Sequence, residues 1–314
     1  MGFTGIVGHE FVGVVEKVES ADGSFDDILG KRVVGEINLA CARCGVCEGG
    51  GDRARNHCPN RTVLGILGKH GTYAEYITLP CRNLHVVPDS VSDAAAVFAE
   101  PLAAACRIVE QGLIPPEADV AVLGDGKLGL LIAEVLARRA TDATKVVDGR
   151  DGVIETSADA VGTTTLIGRH KENMDMSPPP LIRLDARDQE AMVSLAGTFD
   201  VVVDATGSPD GLASASELCR PMGTVVLKST CAAGAGFNPA PVVINEQRIV
   251  GSRCGPFEAA LRLLAEPDGG IDVERYISGV FPLEEAAAAL ESARQKGSLK
   301  VQIICSHHDG GVRG

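Results

Sequence analysis

The chain has 314 residues, 45% hydrophobic and 23% charged, enough for two domains with cores of their own. Its formal net charge of −13, with no basic cluster, argues against a nucleic-acid partner, and no apolar run is long enough to span a bilayer. Four per cent aromatics, no Trp and 37 glycines suit an Ala/Val/Gly-rich α/β protein better than an aromatic-cored sandwich.

The opening MGFTGIVGHE lacks the basic start and apolar stretch of a signal peptide and the Arg/Ser richness of a transit segment. Strands are expected over Phe11 to Glu19 (FVGVVEKVE), Lys31 to Ile37 (KRVVGEI) and Tyr73 to Leu79 (YAEYITL), from β-branched content and alternation. From Ala94 the texture turns helical, in an Ala/Leu-rich run through Glu100 that stops before Pro115-Pro116.

A buried strand, a glycine turn and an apolar-faced helix follow in DVAVLGDGKLGLLIAEVLARR, with Leu128, Leu131, Ile132 and Val135 on the helix face. Phe199 to Ser208 and Gly223 to Thr230 carry further apolar strands, with the helical GLASASELCR between them. Strands alternating with helices predict a parallel sheet. Helices are expected at Glu258–Ala265 and Glu284–Lys296, a last strand over Val301 to Cys305, and a frayed polar tail beyond it. Residues 139–162 break this rhythm, reading as a surface insertion at about 140–161 or an error in the assigned gene structure.

Gly124-Asp125-Gly126-Lys127-Leu128-Gly129 spells G-x-G-x-x-G between a strand and a helix. The first glycine permits the tight turn, the second lets the backbone approach a pyrophosphate, and the third lets the helix pack close to the sheet. Two strands compete to read the cofactor's 2′ position. Asp148 stands 22 residues after Gly126, where an acid binds the ribose of NAD; TTTLIGRHKE instead ends in Gly168-Arg169-His170-Lys171. The latter has the better strand character, and its basic groups favour the 2′-phosphate of NADP, with NAD as the alternative.

Ten cysteines do not make a disulfide scaffold here. Cys41-x2-Cys44-x2-Cys47 followed by Cys58 supplies four thiolates from one loop, the donor set of a closed, structural zinc site. The other six lie among apolar neighbours, and the whole pattern suits a reducing, cytoplasmic compartment. The His9-Glu10 pair and Glu100, alone, say little: a satisfied loop histidine is the better reading of the first and a helix N-terminal carboxylate accounts for the second.

Taken together, the chain resembles the zinc-dependent alcohol dehydrogenase branch of the medium-chain dehydrogenase/reductase superfamily. The resemblance rests on GHEFVGVVEKV, CARCGVC…C, GTYAEY, AEPLAAA, VLGDGKLG, DATGS and GTVVLKST in order, and covers nearly the whole chain. It implies a doubly wound Rossmann sheet plus an incomplete GroES-like β-barrel catalytic domain. The domains would be 1–103 (catalytic, with the zinc lobe), 104–255 (dinucleotide-binding) and 256–314 (a return to the catalytic domain). It implies His9 and Glu100 as catalytic zinc ligands, Glu10 as a supporting acid or alternating ligand, and cofactor contacts from Ala205, Thr206 and Gly207. It further implies a small-molecule alcohol or carbonyl substrate, hydride transfer to or from NAD(P), and a homo-oligomer without membrane or nucleic acid.

Three departures qualify the resemblance. The family's upstream cysteine ligand and Ser/Thr proton relay have no counterpart in the seven residues before Gly8, so the expectation is an N-terminally truncated chain with impaired catalysis, organelle targeting being left open. A catalytically silent dinucleotide-binding protein carrying only the structural zinc is the alternative. The loop from Cys47 to Cys58 is longer than the family's, and the segment before Gly162 obscures the 2′ reader.

Overall fold

Six parallel strands form one sheet in the order Ile182–Asp185, Thr164–Gly168, Val120–Leu123, Phe199–Asp204, Cys219–Leu227, Arg248–Gly251. Strands covered on both faces must be apolar on both, which is why VAVL is buried at every position and Phe199–Asp204 at all but one. The helices Lys127–Ala137, Lys171–Asp175, Gln189–Ser194 and Gly211–Leu218 lie between successive strands. Ala121, Ile167, Val202, Ala215, Leu218 and Val225 form the centre of a core under this sheet. The strand order reverses between Thr164–Gly168 and Phe199–Asp204, on either side of Val120–Leu123. That switch point is where dinucleotides bind in such sheets.

The computed structural model describes residues 3–20, 23–50, 52–138, 146–148, 152–154, 162–178, 180–231, 236–267 and 270–305. It divides into one unit of Met1–Glu100 with Phe257–Gly314 and a second of Pro101–Pro256. Most of the suspected insertion and the whole polar tail from residue 306 lie outside the described residues. Within the former, Val146–Asp148 and Gly152–Ile154 pair antiparallel as a sheet of their own. The slot beside Val120–Leu123 is taken by Thr164–Gly168, in register from Thr164↔Val120 to Ile167↔Leu123. Among the described residues no helix is long and apolar enough to cross a membrane.

The first unit is built from short strands. Arg32–Gly35 pairs antiparallel with Gly13–Val14 and with Leu84–Val86, and Asn38–Leu39 pairs with Thr62–Leu64. Ile277–Pro282 and Lys300–Ile304 run parallel, with the helix Ala286–Ala293 between them in sequence. Regular strand is thus shorter than the alternation in Phe11 to Glu19 suggests. Tyr73 to Leu79 is not a strand at all: at its start the Tyr73 N–H donates to Val7, and the segment continues through bends.

His85, on the Leu84–Val86 strand, ties three segments of this unit together. Its Nε2 lies 3.3 Å from Glu36 Oε1 and its Nδ1 3.3 Å from Glu258 Oε1, while the ring stacks on Phe257 at 5.1 Å. Burial pushes the imidazole pKa down, but hydrogen bonds and charge from Glu258 and Glu36 outweigh it and raise it to about 9. The folded state therefore holds this proton more tightly than the unfolded chain. The stabilisation is complete below the unfolded value of about 6.5 and is lost as pH rises through 9. Thermal unfolding followed by circular dichroism should show wild type losing a few degrees more than His85→Gln between pH 7 and 9.5. Parallel pH profiles for the two proteins would refute this role.

Candidate functional site

The cysteine lobe begins where Asn38–Leu39 runs out into a turn that places Ala42 at φ 59°. The short helix Gly45–Gly49 then carries Cys47, and Cys58 follows fully buried. All four sulfurs lie within 4.8 Å of one another, with Cys44–Cys47 at 3.5 Å and Cys44–Cys58 at 3.8 Å. A tetrahedron with zinc–sulfur bonds of about 2.3 Å has edges of about 3.8 Å, close to the two spacings about Cys44, so the donor set fits zinc. Four thiols this close cannot all ionise unaided. The Arg43 backbone N–H lowers Cys41 to about 6, whereas burial and then the neighbouring sulfurs raise Cys47 to about 11. A divalent cation is what reconciles four thiolates in one place.

His9, Glu10 and Glu100 converge in the same unit, their ligand atoms again within 4.8 Å of one another. Backbone contact fixes His9. Gly71 N donates to Ile6 O (2.7 Å), Tyr73 N to Val7 O (3.1 Å) and Thr72 N to Gly8 O (3.0 Å). Gly8 itself sits at φ 93°, and a Cβ there would fall 2.5 Å from Thr72 Oγ1. A Cβ on Gly65 or Gly71 would come within 2.1 Å of the Gly8 carbonyl oxygen. Glu100 stands in the first turn of the helix Ala99–Glu110, where the dipole favours a carboxylate.

One partner escaped the sequence reading. Lys300 Nζ pairs with Glu10 Oε2, the two side chains being 6% and 18% exposed, and lies 4.9 Å from the centre of the Phe98 ring. The ammonium meets the carboxylate's charge in a setting where either ion alone would be costly. The only hint was a lysine heading the apolar run KVQII. The donor set of this cluster is one imidazole and two carboxylates, which suits a zinc site with an open position.

In the second unit the three motif glycines divide the work. Gly124 lies at φ 110° against the Ala205 carbonyl, which a Cβ would meet at 2.7 Å; a Cβ on Gly129 would strike Gly124 O at 1.9 Å. Among the described residues, its chain neighbours aside, Gly126 has no heavy atom within 4 Å of where its Cβ would be. Open space at the second glycine is what a backbone cradle for a pyrophosphate needs. No side chain caps the helix Lys127–Ala137, whose first turn carries Lys127, Leu128 and Gly129. Across the switch point, buried Asp204 accepts from Thr206 N (2.9 Å), Thr206 Oγ1 (2.7 Å) and Ser229 Oγ (3.0 Å), and so shapes the Ala205-Thr206-Gly207 turn.

Gly168 ends the strand beside the glycine turn, and Arg169 projects exposed directly after it. Asp125 Oδ2 accepts from Arg169 N (2.7 Å) and His170 N, and the His170 Nδ1 lies 3.2 Å from the same carboxylate. Lys171 is engaged with Asp175 at 2.5 Å. Arg187, after the next strand, holds Asp185 and lowers its carboxyl to about 2.

Residues 2–89 match the alcohol dehydrogenase GroES-like domain family, and residues 182–266 the zinc-binding dehydrogenase family. The chain is 27% identical over 299 residues to D-xylulose reductase A of Aspergillus niger, covering 95% of this chain and 80% of the relative. It is 26% identical over 306 residues to L-threonine 3-dehydrogenase of Yersinia pestis (strain Pestoides F), covering 95% and 82%. Among solved structures, the alcohol dehydrogenase of Thermus sp. ATN1 superposes with TM-score 0.75 at 27% identity, over 96% of this chain and 84% of that one. A zinc-binding dehydrogenase of Sinorhizobium meliloti 1021 bound to NADP gives TM-score 0.74 at 25% identity, over 95% and 83%.

Cys58→Ser should remove one tightly held zinc per chain, as read by elemental analysis after dialysis. It should also lower the melting midpoint by roughly 5–10 °C, the scale of a loss of about 2–3 kcal/mol in a domain of this size. Unchanged zinc content in that variant would show that the lobe is not the metal's seat.

Proposed function

Because the chain belongs to the zinc-dependent medium-chain dehydrogenase/reductase superfamily, we propose that it moves a hydride between a secondary alcohol, or the matching carbonyl, and NADP. The observation that carries this reading is the convergence of His9, Glu10 and Glu100 on one point. D-xylulose and L-threonine, named in the relatives, each carry an oxygen on a secondary carbon, which supports that substrate class. The basic Gly168-Arg169-His170 strand end beside the glycine turn supports NADP over NAD.

When bound, zinc would polarise the substrate oxygen and the nicotinamide would exchange the hydride with the carbinol carbon. His9 offers a ring nitrogen, and Glu100 and Glu10 offer carboxylate oxygens. Lys300 holds Glu10 in place and cancels one negative charge. When the cofactor is bound, the Gly126 main chain and the first turn of Lys127–Ala137 would present N–H groups to the pyrophosphate, and Arg169 would present a guanidinium to the 2′-phosphate.

Among the described residues the His9 cluster contains no thiolate, and one of its carboxylates is shared with an ammonium, so it should hold zinc more weakly than the four-cysteine lobe. Purified 314-residue protein dialysed against a chelator should retain one zinc per chain and show little alcohol-dependent NADP reduction. Added zinc should raise that rate, and His9→Ala should abolish the rise. The Lys300–Glu10 pair also supports a second reading, a silent NADP-binding protein with structural zinc alone. NADPH binding without turnover at any zinc concentration would establish it.

A homo-oligomer is part of the same proposal. Arg248–Gly251 is one edge of the six-stranded sheet, and Met222, Val243, Ile244 and Ile249 are all exposed on or near it. Bare apolar edges invite pairing with a second copy. Light scattering should give at least a dimer for wild type and a smaller species for Ile249→Pro. A monomeric wild type would overturn this assembly.

A further inference from the structure

Asp125 lies inside the glycine turn, yet its carboxylate does nothing for that turn. It reaches across to the end of the neighbouring strand. There Oδ2 accepts from the backbone N–H groups of Arg169 (2.7 Å) and His170, and the carboxylate lies 3.2 Å from the His170 ring nitrogen Nδ1. Asn173 Nδ2 closes the loop by donating to the Asp125 carbonyl at 3.1 Å. The carboxylate is 11% exposed. A carboxylate has about four acceptor positions, and most of these are spent on this chain rather than left for a ligand.

Gly168 is the other half of the arrangement. A Cβ at that position would lie 2.5 Å from Asp125 Cβ and 2.6 Å from Asp125 Oδ2. Asp125 therefore fills the space in which a side chain at 168 would begin, and 168 is the strand-end position at which an acid would meet a ribose hydroxyl. We propose that Asp125 is a positioning residue that latches the Gly168-Arg169-His170 strand end and thereby sets discrimination between NADPH and NADH. It keeps position 168 bare and fixes the backbone from which Arg169 projects. The inference rests on the dinucleotide reading above and deepens it.

A competing effect has the opposite sign. A carboxylate close to a 2′-phosphate repels it, so if its charge mattered more than its hydrogen bonds, neutralising Asp125 would strengthen NADPH binding. The substitutions decide which effect wins. NADPH and NADH affinities are measured by fluorescence titration on the full chain for wild type, Asp125→Asn, Asp125→Ala, Asp125→Gly, Gly168→Ala and the pair Asp125→Gly with Gly168→Ala, with folding checked by circular dichroism.

Asp125→Ala should cut the NADPH-over-NADH preference by about tenfold, the worth of one hydrogen bond to a charged group, with NADH affinity little changed. Gly168→Ala should repeat the loss in wild type and add nothing to the loss from Asp125→Gly, a background in which both the colliding Cβ and the carboxylate are gone. Asp125→Asn, which keeps an acceptor oxygen, should recover part of the preference. An unchanged ratio, equal weakening of both cofactors, or tighter NADPH binding in Asp125→Asn overturns the latch. The wild-type ratio separately tests the cofactor reading: a preference for NADH there sinks the NADP assignment. The latch would then still be judged by whether Asp125→Ala shifts the ratio tenfold.

Discussion

Main chain pressed against main chain is the constraint on which both candidate sites depend. Gly65 and Gly71 crowd the Gly8 carbonyl so closely that neither could carry a Cβ, and His9 is delivered by that contact. Gly124 and Gly129 meet in the same manner, and Gly124 also abuts Ala205. The candidate groups at each site inherit their positions from places where side chains are missing. Such contacts tolerate almost no adjustment, since a backbone oxygen cannot swing aside as a flexible side chain can.

A second theme is the handling of buried charge. The cysteine lobe gathers four groups that repel one another once ionised, and only a cation makes the set consistent. The His9 cluster gathers two carboxylates and offsets one of them with Lys300. Asp204 answers its burial with hydroxyls and a backbone N–H instead. Three solutions to one electrostatic problem thus stand in one chain, and only the first two leave room for metal chemistry.

What the sequence made legible was local. The glycine turn and the cysteine spacing each sit within a few consecutive residues, where one strand, one turn or one loop sets the geometry. Glu10 and Lys300, by contrast, are 290 residues apart and carry no shared pattern. His85 meets Glu36 and Glu258 from equally remote segments. Tyr73 to Leu79 had the alternation of a strand but no regular ladder to join. The choice between Val146–Asp148 and Thr164–Gly168 turned on which one the sheet admits beside Val120–Leu123, and the stronger strand character of TTTLI pointed to the one it admits.

The contact between Gly168 and Asp125 has a consequence for how such a chain can change over time. An acid cannot simply be installed at position 168, because the first atom of its side chain would land on Asp125. Position 125 must shrink first, and the intermediate has neither the latch nor the new acid. A mutational path between the two states therefore crosses a valley, and the two positions behave as an epistatic pair.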